Sequence, residues 1–272
     1  MINLYQAAYA CLLQTDLNQK LAGATQLYAD WQAGKLLREI VTDCPVQRVL
    51  IPGRPTRPEL VHAKQVKQRK LTTVEGQRAL LHAVAHIEFN AINLALDAVY
   101  RFRDMPDAFY ADWLQVAAEE AYHFSLLRER LADLDCQYGD LPAHNGLWEQ
   151  ACKTDYDVMV RMALVPRVLE ARGLDVTPGM MEQLREVGDT KTVGILEIIL
   201  RDEIGHVRIG SHWFKYLCEQ RGLEPQATFR QLLQDVMRAP LRGPFYLPGR
   251  LQAGFSVEEM EQLMRMEAEW DS

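Results

Sequence analysis

The sequence lacks the marks of several large protein classes. Its five cysteines, Cys11, Cys44, Cys136, Cys152 and Cys218, are an odd and scattered set in 272 residues. No two form a C-x-x-C pair, which excludes zinc ribbons, rubredoxin-type iron and dithiol redox chemistry and leaves reduced thiols as the expectation. No run of about 18 apolar residues stands out as a membrane span. The first basic residue is Lys20, too late for the charged start of a secretory signal. A cytoplasmic protein without a membrane partner is therefore expected. A formal net charge of −7 excludes a general nucleic-acid coat. Alternation of apolar and polar residues, the mark of half-buried strands, is also missing.

What remains is helix. With 48% hydrophobic and 25% charged residues, the chain can bury a sizeable core. Apolar spacing predicts helices over roughly 3–33, 74–102, 107–134, 148–172, 178–187, 190–221, 226–238 and 256–269. RDMPD (103–107) reads as a tight turn between helices, 139–146 as a longer connection, and GLDVTPG (173–179) as a break with a helix-ending Gly and a helix-starting Pro. Two Pro- and Gly-dense stretches, 44–58 and 239–250, read as irregular. The expected fold is all-α: an N-terminal helical segment with an Arg/Pro-rich arm (1–73), a four-helix bundle (74–221), and C-terminal helices with a Pro/Gly-rich loop packed on it (222–272).

Acids stand on apolar stripes where leucines would be expected. Trp113, Ala117, Glu120, Phe124, Leu127 and Leu131 recur at helical spacing, with His123 three residues after Glu120. Leu196, Ile199, Glu203, His206, Gly210, Trp213 and Leu217 form a second such stripe with the same Glu-x-x-His offset. The preceding helices each add an inward acid: Glu88, between Leu81, Val84, Ile92 and Ala95, and Glu170 in VPRVLEARG. Glu88 lies 16 residues before Asp104 and Glu120 lies 16 after it, so an antiparallel hairpin brings them level. Glu170 lies 18 before Gly188 and Glu203 lies 15 after it. The separations, 120 − 88 = 32 and 203 − 170 = 33, read as an internal pseudo-repeat.

Four carboxylates inside a bundle need neutralising, because each unpaired buried charge costs several kcal/mol. Two divalent cations supply the matching charge, and a mixed oxygen and imidazole donor set suits iron or manganese. One Glu from each of two helices and a Glu-x-x-His from each of the other two is the ligand pattern of di-iron and di-manganese bundles. The expected ligands are Glu88, Glu120, His123, Glu170, Glu203 and His206, holding two Fe ions, with Mn as the alternative. His82, His86, Glu197 and Tyr122 lie off these stripes and are expected to pack or face solvent.

AHIEFNAINLALDA (85–98), EEAYHF (119–124), VLEARGLDVTP (168–178), DEIGHV (202–207) and PGRPTRPEL (52–60) resemble an uncharacterised bacterial family of ferritin-like proteins. That family is related more distantly to tRNA-modifying di-iron hydroxylases. The resemblance runs from about residue 50 to 255 and speaks to fold and metal, not to substrate. It implies that the acids just before the two Glu-x-x-His motifs, Glu119 and Asp202, orient ligand histidines without touching the metal themselves.

The stretch 48–70 carries Arg48, Arg54, Arg57, Lys64, Lys67, Arg69 and Lys70 against the single acid Glu59. It either pins an extended arm to the bundle or binds phosphates. The segment 241–255 is either a lid or C-terminal packing. The function expected is O2-activating oxidation or hydroxylation of a small molecule or a modified nucleoside. An external electron donor is implied, because no flavin or cysteine-iron motif is present, and homodimerisation is allowed for. The alternatives are an iron-binding or peroxide-scavenging ferritin relative, or a structural di-metal bundle without catalysis.

Overall fold

The computed structural model describes residues 2–39, 45–66, 69–237 and 241–270. Cys44, Lys67, Arg238 and the first two residues of the 239–250 stretch lie outside them. The protein is all-α. Among the described residues the only named strands are β1 (Ile2–Asn3) and β2 (Leu36–Leu37), paired in parallel with Ile2 opposite Leu36. The chain packs as two compact units, Met1–Asp155 and Tyr156–Ser272. That boundary falls inside the 74–221 segment read from sequence as one bundle.

The first unit is built on two helical hairpins. Helices α1 (Leu4–Leu12) and α2 (Leu17–Gln32) pack on α3 (Val74–Arg101) and α4 (Asp107–Asp133), and a short α5 (Gly146–Lys153) follows. The single helix expected over 3–33 is therefore two. Asp16 causes the break: its carboxylate accepts the Gln19 N–H at 2.9 Å and caps α2, competing with helix continuation. Helices α3 and α4 end within a residue of the expected limits. Every residue of α3 from Glu88 to Tyr100 is buried, so this half of the helix is core on every side, with Glu88, Asn90, Asn93 and Asp97 set among its apolar residues. An 18-residue stretch of α3 reaches a mean hydropathy of 1.3, apolar enough to cross a membrane, which amends the expectation of no such stretch. It is 78% buried in the protein, as a core helix is.

Lys20 ties the two hairpins together. Its side chain is buried, and its ammonium donates to the Leu12 carbonyl at 2.8 Å and to Asn93 Oδ1 at 2.6 Å. It also lies 5.6 Å from the centre of the Phe89 ring. Burial pushes its pKa down to about 8. The arm that follows α2 is fastened to the same unit. Arg48 donates to Asp155 at 2.6 Å and to the Cys152 carbonyl at 3.0 Å, and Trp148 donates to the Leu50 carbonyl. Gly53 approaches so closely that a Cβ there would lie 2.1 Å from the Leu13 carbonyl carbon. Arg54 donates to the Pro58 carbonyl within the arm itself.

The second unit corrects two expectations. The helix expected over 148–172 is interrupted at 154–157. There Asp157 caps a new helix, α6 (Val158–Leu164), by accepting from Met159 N at 2.7 Å and Val160 N at 3.2 Å. The chain then runs through a π-helical turn, Val165–Glu170, directly into α7 (Ala171–Glu186). The break expected at 173–179 is thus helix. Pro178 removes one N–H donor, but Leu174, Asp175, Thr177, Met181 and Leu184 are buried at helical spacing along α7 and hold it in register. Asp175 is further clamped by Arg250 at 2.9 and 2.7 Å. The real stop is Gly188, with φ 79°, after which Asp189 caps α8 (Thr190–Gln220). Helix α9 (Pro225–Leu232), a second π-helical stretch (Leu233–Met237), α10 (Leu247–Gln252) and α11 (Val257–Trp270) complete the unit.

The π-helical turn fits against α8 only because residue 210 is glycine. A Cβ at Gly210 would sit 2.2 Å from Pro166 Cγ and 2.3 Å from its Cβ, and a buried proline ring has no flexible end to move. Gly194, in the same helix, has no neighbour within 4 Å of such a Cβ. Gly210→Ala should therefore destabilise the protein by about 1–3 kcal/mol. Gly194→Ala should stabilise it by about 0.5–1 kcal/mol through helix propensity. Thermal unfolding of the two variants checks the pair of opposite signs.

Candidate metal centre

In the first unit the turn at 102–106 brings α3 and α4 back to back, and Glu88, Glu120 and His123 meet. Their exposures are 4%, 0% and 0%. His123 Nδ1 lies 3.2 Å from Glu88 Oε2 and 3.5 Å from Glu120 Oε2. One imidazole nitrogen thus faces two carboxylates. Burial first, and the negative charge of Glu120 second, push the Glu88 carboxyl up to about 8. Two acids in a dry core resist ionising together unless a cation joins them.

The second unit carries the matching pair on α8. Glu203 and His206 are both buried, and His206 Nδ1 lies 3.4 Å from Glu203 Oε1. Glu170, the last residue of the π-helical turn, is 8% exposed. π-helical turns recur at functional sites. In both Glu-x-x-His motifs the Nδ1 atom is the one turned to the carboxylate, because side chains three apart share a helix face.

Glu88, Glu120 and His123, together with Glu203, make a buried acid and imidazole set that could hold a metal ion. Hard carboxylate oxygens with imidazole suit iron or manganese, and the set contains no thiolate to favour zinc. Cys11, Cys136, Cys152 and Cys218 are free thiols. Cys44 lies outside the described residues.

Of the two acids expected in the second shell, Glu119 accepts from the Gln115 amide at 2.8 Å. Asp202 accepts from its neighbour Arg201 at 2.8 and 3.0 Å. The off-stripe residues take packing and surface positions. His82 is buried, accepts the Gly139 N–H at 2.9 Å and stacks 5.3 Å from the Tyr138 ring. His86 lies 2.8 Å from the Tyr138 hydroxyl. Burial pushes both imidazoles down to about 4, so they are neutral near pH 7. Tyr122 is exposed, and Glu197 pairs with Arg185 on the surface.

Sequence reasoning passed over Lys20, Arg161, Arg167 and Arg250, four cations that are 2% exposed or less. The only signal of them in the chain is a basic residue at a helix position otherwise occupied by core side chains.

A family model described as a protein of unknown function, DUF455, matches residues 13–261. The chain belongs to this family. It is also similar to an uncharacterized protein of Haemophilus influenzae, 50% identical over 224 residues, which cover 80% of this chain and 78% of that one. No solved structure matches the chain.

A pH dependence follows from the DUF455 chain's buried Glu88. Its carboxyl titrates near 8 when folded against an ordinary value of 4.5. The metal-free folded state therefore holds a proton that the unfolded chain has already released. Stability from this group is full below pH 4.5 and is lost as pH rises toward 8. Thermal scans of metal-free protein should show a melting temperature falling across that window. Saturating Mn2+ should flatten the fall, since a bound cation replaces the proton. Glu88→Gln should remove both the fall and the effect of Mn2+.

Proposed function

We propose that this chain is a ferritin-like di-metal carboxylate protein that uses two iron ions to activate O2 and oxidise a small organic substrate. The observation that carries the reading is the burial of Glu88 and Glu120 against one face of His123, with Glu203 in the same buried set. Glu170, Glu203 and His206 supply the second half of the ligand set by the same motif. Two divalent ions balance four carboxylates, and carboxylates can bridge metals about 3.5–4 Å apart. Manganese fits the same donors.

When bound, the metal ions would supply the redox chemistry toward O2; the chain supplies everything else. Glu88 would give up its proton to receive an ion, and His123 and His206 would be the imidazole ligands. Phe89 and Phe124, buried next to Glu88 and His123 in sequence and in contact with each other, would help keep bulk water out. Glu119 and Asp202 would orient the histidines from outside the ligand shell. Reducing equivalents would come from a separate electron-transfer protein, consistent with free, ungrouped cysteines and a reducing cytoplasmic setting.

A small molecule is proposed ahead of a modified nucleoside in RNA because the basic arm already has a structural use: two of its seven cations fasten it, Arg48 to Asp155 and Arg54 to the Pro58 carbonyl. A homodimer remains part of the proposal only as the assembly state in which to look for activity.

Anaerobic loading followed by elemental analysis should return two iron or manganese ions per chain. Glu120→Ala and Glu203→Ala should each abolish loading of the pair, while Glu119→Ala and Asp202→Ala should weaken it about 10–100-fold. On admission of air, the ferrous-loaded protein should consume O2 in an oxygen-electrode cell. Ferrous protein inert to O2, with cell extract as well as without, would overturn the oxidase reading.

A further inference from the structure

The proposed function leaves one question of construction. Glu88 sits in the middle of a long, unbroken helix, but Glu170 is the last residue of a π-helical turn with Pro166 inside it. Such turns are rare and interrupt the regular α-helical bonding. Something must hold it.

The C-terminal segment grips the chain on both sides of Glu170. Three residues before it, Arg167 is fully buried and donates to Glu259 Oε1 at 2.6 Å. The Arg167 guanidinium carbon lies 5.0 Å from the centre of Phe214, 4.5 Å from Phe229 and 4.4 Å from Phe255. Its Nε and Nη1 have no hydrogen-bond acceptor, so one carboxylate and three aromatic rings hold this cation. Two residues after Glu170, Arg172 donates to the carbonyls of Arg242 and Pro244 at 2.8 and 3.3 Å. Five residues after it, Asp175 takes both arms of Arg250 and the Tyr246 N–H.

Glu259 is itself fixed. Its second oxygen accepts the Ser256 N–H at 2.9 Å, and its own N–H donates to Ser256 Oγ at 3.1 Å, a reciprocal cap on the start of α11. One carboxylate therefore starts a helix and anchors Arg167 at the same time. A segment that served only as packing would need apolar contact, not two buried guanidinium–carboxylate pairs with their desolvation cost.

We infer that Arg167 is a positioning residue for Glu170, and that residues 242–259 form a clamp that sets where the Glu170 carboxylate points. The inference rests on reading Glu170 as a metal ligand. The clamp acts on one of the two ions, the one that Glu170 would hold with His206, and leaves the ion held by Glu88, Glu120 and His123 alone.

The test is stepwise Mn2+ titration of the full-length protein, followed by electron paramagnetic resonance, with amide hydrogen exchange over 165–175 on the metal-free form. Glu259→Gln should lower the affinity of one Mn2+ by about 10–100-fold, keep the other unchanged, and speed exchange in that stretch. Because Glu259→Gln leaves a buried guanidinium poorly paired and could unfold the chain, Arg172→Ala serves as a surface variant. It should weaken the same single Mn2+ several-fold, and Arg172→Lys, which keeps a donor for the two carbonyls, should restore it. A purely structural role would lower the melting temperature without separating the two affinities. Wild-type loading with two Mn2+ and unchanged affinities in the folded variants would overturn the clamp alone. Wild-type protein that takes up no Mn2+ would overturn the metal reading as well.

Discussion

Buried negative charge is the constraint on which the rest of this structure depends. A carboxylate in an apolar interior must be paired, protonated or bound to a cation. The chain shows three of its acids paired in the ordinary way: Asp97 with Arg101, Asp175 with Arg250, and Glu259 with Arg167. Glu88 is different. It faces Glu120 and His123, and its proton is held far above the ordinary range. Two acids gathered on one imidazole in a dry core are what the cation reading rests on.

The two units present their acids by different means. In the first, Glu88 opens the half of α3 that is buried on every side, so packing and His123 fix it. In the second, Glu170 ends a π-helical turn seated against Gly210 and held by arginines on either flank. A rigid half and a braced half can respond differently to substitution even when their ligands match in type.

Much of the architecture was legible in the chain. The limits of α3, α4 and α8 follow from three-and-four spacing, and 16 residues on each side of Asp104 were enough to put Glu88 level with Glu120. The misreadings share one cause. At 173–179 a Gly and a Pro carried more weight than the buried spacing Leu174, Met181, Leu184 that keeps the helix going. Asp16 and Asp157 were overlooked as caps because apolar residues continue on both sides of them. Arg167 and Arg250 could not be read as anchors, since a buried arginine is recognised only by a partner that lies about 75 to 92 residues away and is unrelated in sequence pattern.

Lys20 carries a consequence for how this chain can change over evolutionary time. Its single nitrogen joins the end of α1, the start of α2 and the middle of α3, through the Leu12 carbonyl and Asn93. Loss of either side chain alone leaves the other buried without its match, so drift at positions 20 and 93 has to be concerted. The N-terminal helices are accordingly poor material for domain shuffling: a recombinant that inherits α1 and α2 from one parent and α3 from another inherits a mismatch in its core.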